Sequence, residues 1–208
     1  MWSIHKDLEF CYGHRTYTQR LNGEFSSDLK TACRHFHGHE GRVTVYLEGD
    51  TLNDVGMVTD FRHLEWLKKF INDHIDHQFI MDINDPLFNQ FVLTPYNELL
   101  AMNNQVGFTD KYEFYEKSTV ALVVPNTDHV VGFKPNVEGL TEEQLNSPEF
   151  EAVEGFTVVD FVPTSENLSK WMAELIQAKM DRLGVKVSRI DWWETPKSCS
   201  TYFNNYKG

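Results

Sequence analysis

The stretch CRHFHGHEGRVTVYL, Cys33–Leu47, decides the fold. Val43, Val45 and Leu47 alternate with Arg42, Thr44, Tyr46 and Glu48. A period of two with one apolar set predicts a half-buried strand. If that strand runs back continuously through His37, then Cys33, His35, His37 and His39 share the face of the valines. A thiol and three imidazoles then point toward one side of a sheet.

Upstream, Ile4–His14 reads as a second strand, with Leu8, Phe10, Tyr12 and His14 on one face. Thr16–Thr31 is polar, and NGEFSSD within it predicts a loop. Downstream, Asp60 is an N-cap for a helix to Asn72 with the stripe Phe61, Leu64, Leu67 and Ile71, thickened by Phe70. A second helix spans Ser165–Leu183, capped by Thr164 and ended by Gly184. Leu168, Trp171, Met172, Leu175, Ile176 and Leu183 share its face. VKVSRIDWWE is a closing strand. Between the helices, Pro86–Glu154 has a different character. It holds one strand candidate, STVALVVP, and a polar loop with one short helical turn, FKPNVEGLTEEQLNSPEF; Phe156–Val162 is a further strand candidate. Strand, strand, helix, inserted segment, helix, strand predicts an α+β fold with an antiparallel sheet.

The chain has 208 residues, with 19 Lys and Arg against 31 Asp and Glu, a formal charge of −12. That balance argues against broad contact with nucleic acid backbones, which needs a basic face. No uncharged apolar run is long enough for a membrane span, and the charged N-terminus is unlike a secretory signal, so a cytoplasmic protein is expected. Cys11, Cys33 and Cys199 form no disulfide framework, and no C-x-x-C pair is present.

His-x-His on a strand sets two imidazoles about 6.5–7 Å apart along one side, close enough to converge on one ion. His14, at the end of a neighbouring apolar strand face, is a natural third donor. Three protein ligands with an open fourth position is the usual catalytic zinc arrangement. His35 and the Cys33 thiol are alternative ligands from residue chemistry alone. Asp76-His77, in NDHIDHQF, is a second pair of interest, since a carboxylate orients a neighbouring imidazole. The same residues equally suit a solvated loop. Cys33 alone suits a buried, inert thiol, and Glu194 an exposed strand end.

Together these motifs resemble the 6-pyruvoyltetrahydropterin synthase family, in its 6-carboxytetrahydropterin synthase branch of queuosine and related deazaguanine biosynthesis. CRHFHGH has the C-x-x-x-H-G-H form, with the shorter spacing of the carboxy branch. FCYGHRT, GMVTDFRHLEWLKKFIND, IDHQFI, PTSENLSKWM and WWETPKSCSTY match the family's further motifs in order. The resemblance implies a single tunnelling-fold domain over 1–208, with two helices packed on one face of an antiparallel sheet and subunits joined into an oligomeric barrel. It implies Zn2+ on His14, His37 and His39, with Cys33, Asp76 and His77 as catalytic groups and Glu194 holding the pterin. His35 has no family role. The implied reaction converts 7,8-dihydroneopterin triphosphate to 6-carboxy-5,6,7,8-tetrahydropterin, acetaldehyde and triphosphate. Alternatives are 6-pyruvoyltetrahydropterin synthesis by triphosphate elimination, and a zinc-containing pterin-binding protein without catalysis. No nucleic acid or membrane partner is expected. A homo-oligomer, a hexamer in the favoured case, would carry sites at subunit interfaces. The departure from the family is a large insertion, 83–160, between the first and second helices.

Overall fold

The computed structural model describes residues 1–205. Two long strands form its centre, β1 (Trp2–His14) and β2 (His37–Gly49), paired antiparallel along their whole length. The register sets Tyr12 opposite His39 and His14 opposite His37. The alternation read from the sequence is what this pairing needs: Leu8, Phe10, Tyr12, Val43, Val45 and Leu47 are all buried. The strand starts at His37, later than expected. Cys33 lies in a 3-10 turn, Ala32–Arg34, because Thr16 N–H captures the Cys33 carbonyl at 2.7 Å and His35 N–H bonds back to Ala32 O at 3.0 Å.

Asp60 accepts from Arg62 N–H at 2.8 Å and opens a 3-10 turn leading into α1 (Glu65–His74). Leu67, Phe70 and Ile71 are the buried stripe of α1. After it, β3 (Gln78–Asp82) runs parallel to the end of β1, pairing Tyr12 with Gln78 and Gly13 with Phe79.

Residues 83–160 are more structured than the sequence suggested. A π-helical turn (Asn89–Leu93) leads into α2 (Thr94–Met102), followed by α3 (Lys111–Lys117). A hairpin of β4 (Thr119–Val123) and β5 (Val130–Pro135) follows. Two short helices, α4 (Glu142–Leu145) and α5 (Pro148–Glu154), stand where a mostly irregular loop was expected. A reciprocal Thr141–Gln144 capping box starts α4, and Ser147 with Pro148 starts α5. Then β6 (Phe156–Val159) pairs parallel with β3.

The chain closes with α6 (Ser165–Met180), β7 (Lys186–Thr195) and β8 (Ser198–Phe203). Thr164 caps α6, and Gly184, at φ +64°, reverses the chain after it. That left-handed conformation suits a residue without Cβ.

All strands join one sheet, ordered β4-β5-β6-β3-β1-β2-β7-β8. The β1-β2-β7-β8 half is antiparallel as expected, but the whole sheet is mixed. β3 comes to lie parallel to β1 after the chain has run back through β2 and out again through α1, and β6 lies parallel to β3 because residues 83–155 act as a crossover connection. Two cores flank the sheet. Ile80 and Val159 join the cluster beneath α1 and α6, whereas their neighbours Met81 and Val158 join a second cluster with Phe88, Val92, Leu99 and Phe114. Successive strand residues point to opposite faces, so the helices of 83–160 cover the face opposite α1 and α6.

Candidate metal centre and active site

The antiparallel register brings three imidazoles together at the open end of the first core. Ring centroids are 4.6 Å apart for His14 and His37, 5.1 Å for His14 and His39, and 5.0 Å for His37 and His39. One potential ligand atom from each lies within 4.8 Å of the others. Gly38 permits this approach, since a Cβ there would sit 3.0 Å from the Tyr12 carbonyl oxygen. Tyr12 forms the floor, 5.2 Å from His14 and 5.8 Å from His39 between centroids, and its hydroxyl accepts from Trp192 Nε1–H at 2.9 Å.

Backbone carbonyls fix the orientation of two of the rings. His14 Nδ1–H donates to Pro163 O at 2.6 Å, and His37 Nδ1–H donates to His35 O at 2.9 Å. A carbonyl can only accept, so each Nδ1 carries the hydrogen and each Nε2 presents a lone pair. His14 Nε2 and His39 Nε2 are buried and have no hydrogen-bond partner among the described residues. Burial lowers the His14 pKa to about 4, with repulsion from His37 and His39 adding to it against the Pro163 bond. Burial, then His37, also lowers that of His39. Neutral, oriented and orphaned imidazole nitrogens are what a divalent cation of the zinc type accepts.

Glu194, on β7, reaches 3.7 Å from His14 Nε2. Burial raises its pKa, Glu166 adds to the rise, and His37 opposes it. The carboxylate therefore stands beside the triad. His35 contributes its carbonyl, while its ring is exposed. Asp76 and His77 form a pair, Oδ1 to Nδ1 3.1 Å, and Asp76 Oδ1 also accepts from Cys11 N–H at 2.7 Å. His77 has φ +58° and an exposed ring. It lines a recess of about 700 Å³ with Cys11, Arg42, Asp76 and Trp193, and a second of about 670 Å³ with His37 and His39. Cys33 lines neither recess, and among the described residues its thiol makes no bond to His77. It is half-buried, held by Thr16 N–H on its carbonyl and by Gln19 Oε1, which accepts from its N–H at 3.0 Å. One chain thus unites His14, His37, His39 and Glu194 and brings His77 to their rim, but leaves Cys33 apart from Asp76–His77.

Sequence reasoning did not single out Pro163 or Gln19. Pro163 acts through its carbonyl, which no side-chain pattern announces. Gln19 sits in a polar run with no distinguishing period.

The family description "6-pyruvoyl tetrahydropterin synthase" matches residues 3–205. A 6-carboxy-5,6,7,8-tetrahydropterin synthase of Aquifex aeolicus is 25% identical over 210 residues, covering 97% of each chain. A 6-pyruvoyl tetrahydrobiopterin synthase of Dictyostelium discoideum is 31% identical over 70 residues, covering 33% of this chain and 52% of its own. Among solved structures, an uncharacterized protein from Wolinella succinogenes is 39% identical, covers 98% of both chains and superposes with a TM-score of 0.79.

Proposed function

This chain belongs to the 6-pyruvoyl tetrahydropterin synthase family, a family of lyases with the tunnelling fold, and from that premise we propose that it is a zinc-dependent 6-carboxytetrahydropterin synthase. Its substrate is 7,8-dihydroneopterin triphosphate, and its products are 6-carboxy-5,6,7,8-tetrahydropterin, acetaldehyde and triphosphate, made for queuosine or related deazaguanine synthesis in the cytoplasm. The observation that carries this reading is the gathering of three imidazoles at one point, two of them with a buried Nε2 that has no hydrogen-bond partner among the described residues. The carboxy product is preferred because the full-length relative of that name extends across residues 83–160 as well.

His14, His37 and His39 would hold the zinc, which supplies Lewis acidity toward substrate oxygens when bound. The Cys33 thiolate takes a proton from the substrate side chain. His77, oriented by Asp76, moves protons on the other side. Glu194 accepts two hydrogen bonds from the pterin ring and fixes it. We read 83–160 as an insertion into one tunnelling-fold domain. We also read the protein as a homo-oligomer larger than a dimer, with a hexamer favoured. Two features support this. β1 has a strand partner on its outer side only at Tyr12 and Gly13, and β8 has none on its outer side among the described residues. Open edges of that kind invite pairing between subunits. The separation of Cys33 from Asp76–His77 within one chain is also what a site shared between subunits requires.

Incubation of zinc-loaded protein with dihydroneopterin triphosphate, followed by mass spectrometry, tests the reaction. Carboxytetrahydropterin with acetaldehyde is expected. A pyruvoyl product overturns the carboxy assignment, and an unchanged substrate overturns the catalytic reading.

A further inference from the structure

The 83–160 segment touches the metal centre through the residues that flank the ligands, not through the ligands themselves. Arg15 follows His14, and Phe36 precedes His37. Asp85, just inside the segment, places Oδ2 at 3.1 Å from Arg15 Nε. The N–H is poorly aligned with the carboxylate, so the contact is an ion pair without a hydrogen bond. Both residues are buried, Arg15 to 8% and Asp85 to 3% exposure. Asp85 is itself fixed, accepting Leu87 N–H at 2.8 Å on its Oδ1. The Arg15 guanidinium lies over the Phe36 ring at 5.5 Å. The same ring, 39% exposed, packs against Phe91, 4.5 Å away within the segment, and Phe79, 5.0 Å away on β3. Tyr17 Oη donates to Asp82 Oδ2 at 2.8 Å, and Asp85 N–H bonds to Asp82 O at 2.9 Å. Between Arg15 and Tyr17, Thr16 holds the Cys33 carbonyl.

We propose that the inserted segment is a brace for the metal centre. Asp85 and Phe91 act as positioning residues that clamp Arg15 and Phe36, and so hold His14, His37 and the Cys33 turn in register. This rests on the reading of His14, His37 and His39 as the metal site. A lid would place its side chains over a recess mouth. These side chains instead grip one chain neighbour of each ligand strand, on the face of the sheet away from α1 and α6. Buried ion pairs cost desolvation and in some proteins fix geometry, the role assigned to this one beside the ligands. Residues that orient metal ligands from behind typically govern metal affinity by about 10- to 100-fold.

The test uses the full chain with Asp85→Asn and Phe91→Leu, made separately. Zinc affinity is measured by chelator competition far below the unfolding temperature, and the alkylation rate of Cys33 is followed by mass spectrometry. The brace predicts zinc binding weakened about tenfold or more in a folded variant, with faster Cys33 alkylation and kcat reduced more than KM is changed. Should Asp85→Asn fail to fold, Phe91→Leu decides, because it removes no charge partner. Folded variants whose zinc affinity and alkylation rate stay within about twofold of the parent overturn the proposal. The first two readouts need no substrate. A parent that binds zinc at the triad but converts no pterin therefore refutes the proposed reaction while the brace stands or falls on affinity. A parent that binds no zinc refutes both.

Discussion

Protonation of His14 should destabilise the metal-stripped protein on a schedule set by its burial. The ring is 2% exposed, and its pKa falls from an ordinary 6.5 to about 4, chiefly through burial. The folded state therefore binds fewer protons than the unfolded chain between those two values. Stability is complete above the unfolded pKa and is lost as pH falls through that window. Linkage gives a loss of about 2 kcal/mol by pH 5 and about 3 kcal/mol by pH 4 from this group. Urea unfolding of chelator-stripped protein, at fixed concentration between pH 7 and pH 4, measures the sum over all groups. Glu194 and Asp85, whose pKa values are raised by burial, act in the opposite direction. The comparison is therefore with His14→Gln, which keeps an amide donor for the Pro163 carbonyl and removes the titration. The parent should lose about 2 kcal/mol more than the variant between pH 7 and pH 5. Parallel pH profiles for the two proteins, within about 0.5 kcal/mol, would refute the claim that His14 is held neutral by burial.

Cys33→Ala should retain zinc and fold but lose about 10²-fold or more in kcat if the thiol has the proposed proton-transfer role; near-normal kcat, or loss of zinc by metal analysis, defeats that role. Trp192→Ala removes a ring with 0% exposure that also donates to Tyr12 Oη. It should cost about 3–5 kcal/mol in urea unfolding, and a cost under about 1 kcal/mol would contradict its place in the core. Light scattering of active protein should give several multiples of the 24.3 kDa chain mass. Full activity at the mass of one chain would mean that each subunit carries a complete site.

The parts of the fold that bury one face were legible. Strands β1 and β2 showed their two-residue period because each has one dry side. The turn leading into α1 showed its cap at Asp60, and α6 showed its cap at Thr164 and a stop at Gly184, because those groups act locally. The triad was legible in outline for the same reason, as three imidazoles on strand faces. The residues that tune it were not. His14 is oriented by a carbonyl 149 residues away, and Arg15 meets Asp85 across a gap no local period spans. The parallel pairing of β3 and β6 depends on how crossovers return the chain, which composition does not encode. In 83–160 the Thr141–Gln144 capping box was present in the sequence, but its polar surroundings masked it. The spacing of Phe88, Val92, Tyr96 and Leu99 marks a helical face that was passed over.

The bond from His14 to Pro163 also bears on how the protein is made. A ribosome adds about 5–20 residues per second, so the 149 residues between them take about 7–30 s to synthesise. Once His39 has been added, the nascent chain displays all three imidazoles, with His35 and Cys33 beside them, and lacks the Pro163 carbonyl that orients His14. Glu194 emerges later still. Any zinc captured early is held by a loose cluster in which the thiol competes as a ligand. If the triad holds zinc as proposed, only the arrival of Pro163 and the elements after it sorts nitrogen from sulfur, so correct loading waits until most of the chain has been made.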